Sequence, residues 1–412
     1  MDATEYPLPL SGIRVLDLSH VLSGPWASQT LGDLGAEVLK IEPPGRGDIF
    51  RNSPPHVKDR QGKTAPKETA LYLSANRNKK SITLNLSSDE GRNLAKRLAA
   101  KSDVVLENFR PGAARRLGLG YEQLASENPG LIYCSISGFG QTGPDASKGG
   151  YDAIFQAMSG MMSYTGFPDG TERAGPLRAG PSFCDVNAGM YAAFSIAACL
   201  FHRTRTGRGQ YIDIGMLDTT LAMISHQAMG YLAAGKDAPR CGNGSAFGAP
   251  AGLFPCKDKQ VMLSCTQDAP FRRLCTVLGI PEAADDSRYS LFRDRVQNAA
   301  TLDALLASKT QTWLAADLVK RLDEVEVLVA PVNSTEQAYQ EPQVQHRQML
   351  RSVDHPIVGP LSMVASPIRL SDTPISEYAP PPTLGQHTSE VLMEVLGLEA
   401  ADVQKLFAKG IV

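Results

Sequence analysis

An aspartate heads the most apolar helical pattern in the chain. Asp185 follows the loop-like sequence PSFC and precedes a long run of helix formers, which is where an N-cap residue belongs. Because that run is apolar nearly all round, we expect the start of the helix to be buried. Burial raises the pKa of a carboxyl group, whereas the helix dipole and amide donors lower it. The pattern therefore favours a carboxylate that is ionised at neutral pH without full hydration, which suits nucleophilic attack.

A structural role explains the same position. Most aspartates at the start of a helix only accept hydrogen bonds from its first amides. Position alone favours capping over catalysis, so both interpretations of Asp185 stay open at this point. The neighbouring Cys184 is best interpreted as a buried, inert thiol.

The segments around Asp185 alternate between strand and helix patterns. Helices are predicted at Trp26–Leu34, at Asp89–Ala100, after Asp185 and at Asp218–Ala234. Strands are predicted at Ile13–Leu18, Ala36–Ile41, Ser81–Leu86, Asp103–Glu107, Leu131–Ile136 and Tyr211–Ile214. The alternation predicts an α/β fold with a large, Rossmann-like parallel-sheet domain. A Gly- and Pro-rich stretch from Gly138 to Pro181 predicts a functional loop next to Asp185.

A second, smaller domain is predicted between residues 221 and 335. This part begins with a helical linker and continues with a hairpin near Leu253–Cys265 and several helices, a pattern typical of an α+β domain. Residues 1–220 and 336–412 are predicted to form the large domain. The chain after Gln337 is Pro-rich and extended until helices at Glu390–Leu396 and near Ala401–Lys409.

Composition excludes several classes of function. The 41 basic and 43 acidic residues leave a net charge of −2, and the sequence has no basic tract that would predict a nucleic-acid partner. The apolar window Ala188–Leu200 is shorter than the ~20 residues that span a bilayer, so we expect no membrane partner. An acidic, Pro-containing N-terminus argues against a signal peptide. Seven cysteines without CxxC spacing fit a reducing compartment and predict no metal site. These features predict a cytoplasmic protein.

Motifs spread over nearly the whole chain carry a family resemblance. The chain resembles the family III CoA-transferases (CaiB/BaiF type), which include formyl-CoA:oxalate and carnitine CoA-transferases and share a fold with α-methylacyl-CoA racemase. The matching segments, in family order, are HVLSGP (20–25), LGDLGAEVLKIEPPGRGD (31–48), NRNKKSITLNL (76–86), VVLENFRPGAARRLGLGY (104–121), SISGFGQTGP (135–144), DVNAG (185–189), TGRGQYIDIGMLD (206–218) and LGQHT (384–388).

The resemblance implies that Asp185 is the nucleophile of a CoA-transferase. In the family, the matching aspartate attacks an acyl-CoA and forms a mixed anhydride and then an aspartyl-CoA thioester; succinyl-CoA is the candidate donor for this chain. An incoming carboxylic acid reverses these steps. The family uses no metal or redox cofactor beyond coenzyme A as substrate, and its members are homodimers whose two chains interlock.

The resemblance also implies which residues bind coenzyme A. They lie in the loop after the first strand, at the end of SITLNL, in ENFRPGAARR and after LIYCSIS: His20, Val21, Leu22, Leu84, Asn85, Leu86, Asn108, Phe109, Arg110, Arg116 and Gly138. Gly138 ends a strand at the predicted sheet edge, where open α/β sheets bind ligands. No GxGxxG follows the first strand, which argues against a dinucleotide site.

One position separates transfer from epimerisation. The racemase branch uses a histidine in a Gly-His-Asp sequence as a base, whereas this chain has Gly150-Tyr151-Asp152. A phenol with an ordinary pKa near ~10 is a poor base at neutral pH, so transfer is favoured. An acyl-CoA epimerase and a CoA-binding protein without turnover are the two alternatives.

Other departures concern the substrates. Pro43 stands where many relatives have a basic residue, which leaves Arg46 as the candidate phosphate ligand. Formyl-CoA transferases have Gln at the position of Leu22, Lys at that of Ser137 and four consecutive glycines where this chain has Gly242-Asn243-Gly244. These differences argue against oxalate as the acceptor. His387 is expected to make a structural hydrogen bond.

Overall fold

The computed structural model describes residues 6–412. Residues 1–5, on which the predictions about the N-terminus partly depend, lie outside the described residues. The described part holds fifteen strands, β1 to β15 in chain order: Arg14–Asp17, Glu37–Glu42, His56–Lys58, Thr64–Thr69, Lys79–Thr83, Val104–Glu107, Ile132–Ser137, Gly166–Phe167, Gly175–Pro176, Tyr211–Gly215, Ala251–Pro255, Gln260–Ser264, Leu328–Pro331, Leu350–His355 and Gly359–Val364.

The same residues contain eighteen α-helices, α1 to α18. In chain order they are Ser23–Asp33, Ala70–Ser74, Asp89–Ala100, Ala113–Arg116, Tyr121–Ala125, Asp152–Met158, Met161–Tyr164, Phe183–Thr206, Met216–Met223, Ser225–Ala234, Asp268–Val277, Phe292–Gln297, Ala299–Thr310, Ala315–Asp323, Thr335–Gln340, Pro342–His346, Thr388–Leu396 and Ala400–Ala408. Short 3₁₀ helices cover Ile49–Asn52 and Pro281–Ala284.

Six parallel strands form the central sheet in the order β10-β7-β6-β1-β2-β5. This confirms the predicted α/β fold with a parallel sheet. The strand order reverses between β1 and β6, and the crevice at such a switch point is where open α/β sheets bind ligands. Gly138 follows β7, which is not the edge strand because β10 pairs outside it. The predicted edge position of Gly138 was therefore wrong.

Alternation along the strands supplies a core to each face of the sheet. One face packs against α1 and α8, and its buried side chains include Val15, Val38, Val104, Leu31 and Ile196. The other face packs against α3, α17 and α18, with Leu16, Leu39, Val105, Leu98, Leu392 and Leu406. The start of α3 matches its prediction because Ser88 caps it, its hydroxyl accepting the Gly91 amide at 3.0 Å.

Helix α8 begins before Asp185 and is less buried than predicted. It spans 24 residues and is the one helix in the described range that could cross a membrane by length and composition. Its buried residues Ala188, Ala192 and Ile196 join the core beside the sheet. The opposite side exposes apolar side chains, with Phe194 73% exposed and Phe201 60% exposed. One side of the helix is therefore buried and the other exposed, although both sides are apolar.

The chain divides into two compact units. The larger comprises the described residues up to 159 with 180–223 and 345–412, and the smaller comprises 160–179 and 224–344. The smaller unit has an antiparallel sheet in the order β11-β12-β13, with a core that α11, α13 and α14 share. Residues 160–179, predicted to belong to the large domain, group with the smaller unit instead. One of their contacts there is the hydrogen bond from the Gly242 amide to the Gly166 carbonyl at 2.8 Å.

Three other segments differ from their predictions. The predicted helix Asp218–Ala234 is two helices, α9 and α10, which meet at Ile224. The segment predicted to be extended after Gln337 contains α15, α16 and the hairpin of β14 and β15. The hairpin of β3 and β4 has no predicted counterpart.

Candidate active site

Two loops meet at the switch point of the sheet. The Asn108 side chain, directly after β6, accepts a hydrogen bond from the His20 amide and donates one to the His20 carbonyl, both at 2.8 Å. Asn108 Nδ2 also lies 3.4 Å from Ser23 Oγ. This side chain therefore fixes the loop between β1 and α1 rather than pointing freely to a ligand.

Buried charges support the same loop from below. Burial alone would raise the pKa of Asp17, but the lysines Lys40 and Lys79 hold it well below its usual range. Lys40 Nζ donates to the Ser19 carbonyl at 2.9 Å and lies 3.0 Å from Asp48 Oδ2. Asp48 in turn accepts the Val21 amide at 3.1 Å. The network spans β1, β2 and β5 and leaves the loop little freedom.

The constrained loop between β1 and α1 contains a residue with a strained backbone, Val21. Its φ of +69° is rare for a β-branched residue. Such strain persists where the surroundings over-determine the conformation, and it clusters at functional sites. Here the conformation is fixed by the hydrogen bond from the Val21 amide to Asp48 and by the two hydrogen bonds between Asn108 and His20.

Asp185 is the third residue of α8 and not its N-cap. The N-cap position is Ser182, whose side chain makes no capping hydrogen bond. The predicted capping position of Asp185 was therefore wrong by three residues. Its carboxyl group has no lysine, arginine or histidine within ion-pair distance in the described part of the chain.

The capping function belongs to Asp152, the first residue of α6. Its Oδ2 accepts the Cys184 amide at 2.7 Å and the Asp185 amide at 3.4 Å. Gln156, one turn along α6, donates to Asp152 Oδ1. A buried carboxylate 33 residues earlier in the chain thus uses the amides that would otherwise stabilise a charge on Asp185. No role was predicted for Asp152 from the sequence, although an acid at the start of a helix with Gln156 one turn later was a visible signal.

The surroundings raise the pKa of Asp185 to about 7. Burial is the largest cause, the negative charge of Asp152 adds to it, and a hydrogen bond with Ser23 opposes both. At neutral pH the carboxyl group is therefore near half-ionisation, so the ionised form that the sequence pattern favoured is only part of the population. A more basic carboxylate is a stronger nucleophile, and a useful fraction remains charged.

A glycine in α8 permits the approach of Ser23. A Cβ on Gly189 would lie 2.6 Å from the Ser23 carbonyl oxygen and 3.1 Å from Trp26 Cβ, both in α1. Glycine at this position lets the two helices pack closely enough for Ser23 to reach Asp185. The glycine of the DVNAG motif thus has a direct packing reason.

A cavity of about 460 Å³ opens in front of Asp185. Five of the residues predicted to bind coenzyme A line it, together with Ser23, Ser137, Lys148, Tyr151 and Ile154: Val21, Asn108, Phe109, Arg110 and Gly138. Asp185 is the one acid among the described lining residues. We call this space the Asp185 cavity.

A smaller cavity of about 230 Å³, which we call the slot, also has Phe109 in its wall. Five of the predicted residues line it, alongside Leu18, Ile41, Pro43, Arg46 and Leu117: His20, Leu84, Asn85, Leu86 and Phe109. Because Phe109 lines both spaces, the slot and the Asp185 cavity are neighbours. Leu22, the N-cap of α1, and Arg116, at the end of α4, line neither space.

Four other side chains were considered for chemistry from the sequence, and the structure shows the surroundings of each. Burial lowers the pKa of His20, whose ring lies 5.7 Å from that of Phe109. His387 Nδ1 accepts the Ser81 amide at 3.2 Å, which confirms its predicted structural hydrogen bond. Burial raises the pKa of the Cys184 thiol to about 11, as expected for an inert thiol. Tyr151 is 77% exposed.

Comparisons with known proteins identify the family of the chain. Residues 10–388 match the family CoA-transferase family III. The chain is 41% identical to a succinate–glutarate CoA-transferase of Agrobacterium fabrum, over 95% of this chain and 96% of that one. It is 39% identical to the mouse succinyl-CoA:glutarate CoA-transferase, over 98% and 90%.

Solved structures give the same answer. A crystal structure of a CAIB/BAIF family protein from Brucella suis matches with a TM-score of 0.86 and 39% identity, over 95% of this chain and all of that one. The match covers both compact units. The chain therefore belongs to CoA-transferase family III and is a CoA-transferase, as its motifs predicted.

Proposed function

We propose that this enzyme moves coenzyme A from succinyl-CoA, or a similar acyl-CoA, to a dicarboxylic acid through covalent intermediates on Asp185. The observation that carries the proposal is the state of Asp185. It is a largely buried carboxyl group with a pKa of about 7, without a cationic partner, at the wall of the Asp185 cavity.

Each step exchanges one bond for another. The Asp185 carboxylate attacks the thioester carbonyl, a C–O bond forms, the C–S bond breaks, and the CoA thiolate leaves a mixed anhydride. The thiolate then attacks the aspartyl carbonyl, which gives an aspartyl-CoA thioester and releases the donor acid as a carboxylate. That acid carries one oxygen that began on Asp185. The acceptor carboxylate repeats both steps in reverse order, so no net proton, electron or metal is needed.

The fixed position of Asp185 suits such attack. Asp152 holds the first amides of α8, and Ser23 approaches from α1, so the carboxyl group is oriented before substrate arrives. A nucleophile fixed in this way loses little entropy on reaction. Because Asp152 occupies the amides, Asp185 keeps the electron density that attack requires.

The slot and the Asp185 cavity match the two ends of an acyl-CoA. An adenine ring needs a flat, mostly apolar space, which Leu84, Leu86 and Phe109 offer in the slot. The exposed Arg46 at the slot has no acidic partner within ion-pair distance in the described part, so it is available for a phosphate. Since Phe109 lines both spaces, the pantetheine arm would pass it to bring the thioester to Asp185. Arg110 would pair with the pyrophosphate and Arg116 would approach from outside the slot.

The acceptor class is carried over from relatives. Both curated relatives are named for succinate or succinyl-CoA together with glutarate, and each matches nearly the whole chain. Dicarboxylic acids of four or five carbons are therefore the first acceptors to test.

The assembly is also a proposal. The exposed side of α8 carries Phe183, Met190, Tyr191, Phe194 and Phe201, each at least 41% exposed. Apolar stripes of this kind are typical of protein–protein interfaces. We expect a second copy of the chain to cover this stripe, so the enzyme should sediment as a homodimer. A cytoplasmic location and the lack of a metal or redox cofactor belong to the same proposal.

An exchange assay tests the proposal. The purified enzyme is incubated with succinyl-CoA and, in separate reactions, with glutarate, malate, oxalate, pentanoate and a 2-methyl fatty acid. New CoA thioesters are then measured by mass spectrometry. Transfer to a dicarboxylate is expected. The absence of transfer to every acid would contradict the proposal. Deuterium uptake at the α-carbon of a 2-methylacyl-CoA without an acceptor would indicate an epimerase.

A further inference from the structure

A buried hydroxyl in the Asp185 cavity has no partner. Ser137, the last residue of β7, is 7% exposed, and its Oγ makes no hydrogen bond to any residue that the structure describes. Buried polar atoms nearly always have a hydrogen-bond partner, and leaving one unpaired is destabilising. Because Ser137 lines the cavity that contains Asp185, a substrate group in this cavity is the natural partner.

The same cavity has two cations and one acid. The cations are Arg110 and Lys148, and the acid is Asp185. Arg110 follows Phe109, which borders the coenzyme A slot, and is assigned above to the pyrophosphate. Lys148 is therefore left for an anionic group on the transferred acid.

Lys148 is only weakly committed to its present partner. Its Nζ lies 2.6 Å from Asp145 Oδ1, and the two side chains are 62% and 33% exposed. Such exposed pairs contribute little to stability, so a carboxylate in the cavity can compete with Asp145 for the ammonium group. The ammonium group can therefore change partner at little cost.

The backbone that carries Lys148 is held in place. A Cβ on Gly150 would lie 2.4 Å from the ring of the fully buried Phe155, and one on Gly149 would lie 3.2 Å from Arg110 Nη2. The Lys148 amide donates to the Asp145 carbonyl at 2.8 Å. The backbone at Lys148 is therefore constrained, and only the side chain has to move for the ammonium group to change partner.

We propose that Ser137 and Lys148 form a dicarboxylate subsite. The Ser137 hydroxyl hydrogen-bonds to the carboxyl group that exchanges coenzyme A, and the Lys148 ammonium pairs with the second carboxylate. This inference rests on the proposed function, since it names the residues that select the acceptor. It explains the unpaired Ser137 Oγ and the presence of a second cation in a cavity whose reaction needs none.

Acceptor kinetics test the subsite. Glutarate and pentanoate have the same chain length and differ by one terminal carboxylate. Lys148→Met is expected to raise the KM for glutarate by about tenfold or more, with less than a twofold change for pentanoate. Lys148→Arg should restore most of the glutarate affinity. Ser137→Ala should lower kcat for both acids by about tenfold, because its partner is common to them.

A matched control is available on α18. Lys405 pairs with Asp402 three residues earlier, as Lys148 pairs with Asp145, and it is 70% exposed. Lys405→Met should leave both acceptors unchanged, and free coenzyme A should bind Lys148→Met as it binds the natural enzyme.

Two kinds of failure are distinguishable. Equal effects of Lys148→Met on glutarate and pentanoate, weaker binding of free coenzyme A, or no preference of the natural enzyme for glutarate would each overturn the subsite. Absence of transfer to any acid would contradict the proposed function instead. Calorimetric titration of glutarate into the natural enzyme and Lys148→Met then tests the subsite without turnover, and equal binding would again overturn it.

Discussion

Two aspartates occupy the same position in two helices and have opposite surroundings. Asp185 is the third residue of α8, and Asp402 is the third residue of α18. The Asp402 side chain is 53% exposed and lies 2.8 Å from the ammonium of Lys405, one turn along its own helix. Asp185 is largely buried and faces Asp152 and Ser23 instead of a cation.

The difference shows what makes a carboxylate reactive. At Asp402, solvent and a lysine stabilise the charge, and the local sequence supplies both. At Asp185, burial and a second carboxylate disfavour the charge, and both come from segments distant in the chain. The same residue type at the same helical position therefore gives a surface ion pair in one place and a basic carboxylate in the other.

The largest expected effect separates the two residues directly. Asp185→Asn keeps the shape of the side chain but removes the nucleophile, so CoA transfer should fall by at least ~10³-fold. Asp402→Asn makes the same change at the matched position and should leave kcat within about twofold. Initial rates with succinyl-CoA and glutarate measure both. Comparable losses in the two variants would mean that the helical position, and not its surroundings, determines activity.

A substitution of Asp152 should make the surroundings of Asp185 less unfavourable to its negative charge, and so more like those of Asp402. Asp152→Asn removes the negative charge that raises the pKa of Asp185 and weakens the acceptor of two α8 amides. The activity of the natural enzyme should fall as pH drops through about 7, and this limb should move to lower pH in the variant. We expect kcat to decrease by about tenfold or more, since the carboxylate becomes less basic and less well oriented. Asp152→Glu keeps the charge, so the activity of this variant should still fall as the pH drops through about 7. If the activity of Asp152→Asn fell at the same pH as that of the natural enzyme, Asp152 would only support the fold.

A smaller effect is expected at the slot. Phe109→Ala removes the ring that lines both the slot and the Asp185 cavity, and the KM for succinyl-CoA should rise by about tenfold, as for the loss of one base-stacking contact. Phe407→Ala on α18, where the ring is 47% exposed, is the control. Unchanged KM for the CoA thioester in Phe109→Ala would place coenzyme A elsewhere.

The smallest effect concerns stability and its sign depends on pH. The pKa of Asp185 is raised from 3.8 to about 7 in the folded state, so folding favours its proton. The stabilisation from that proton is fully present below pH ~4 and is lost as the pH rises through 7, where the buried charge becomes a cost. Asp185→Asn should raise the Tm by roughly 2–4 °C at pH 8 and leave it unchanged at pH 4. Thermal scans at the two pH values measure this, and a lower Tm of the variant at pH 8 would contradict the raised pKa.

Local patterns predicted the sheet and several helices well. The helix Asp89–Ala100 has its predicted bounds because Ser88 and an amphipathic repeat mark it in the sequence. The central strands lie within two residues of their predictions, except that the strand predicted at Ser81–Leu86 ends three residues early. The hairpins of β3/β4 and β14/β15 were missed because their strands do not alternate cleanly and lie among prolines and glycines.

The chemistry of the site was predictable only in part. The position of Asp185 in an apolar helix and the family motifs indicated a nucleophile. The cap from Asp152, the approach of Ser23 and the unpaired Ser137 hydroxyl depend on tertiary packing across 33 to 162 residues of chain, which no local pattern reveals. The loop strain at Val21 likewise arises from Asp48, 27 residues later.

The central claim is that Asp185 becomes acylated and then carries coenzyme A. Incubating the enzyme with succinyl-CoA alone, followed by intact-mass and peptide mass spectrometry, tests this directly. We expect a mass increase equal to coenzyme A less one water, located on the peptide that contains Asp185, and its loss on addition of glutarate. An enzyme that transfers coenzyme A while Asp185 stays unmodified, or with the adduct on another residue, would contradict the account.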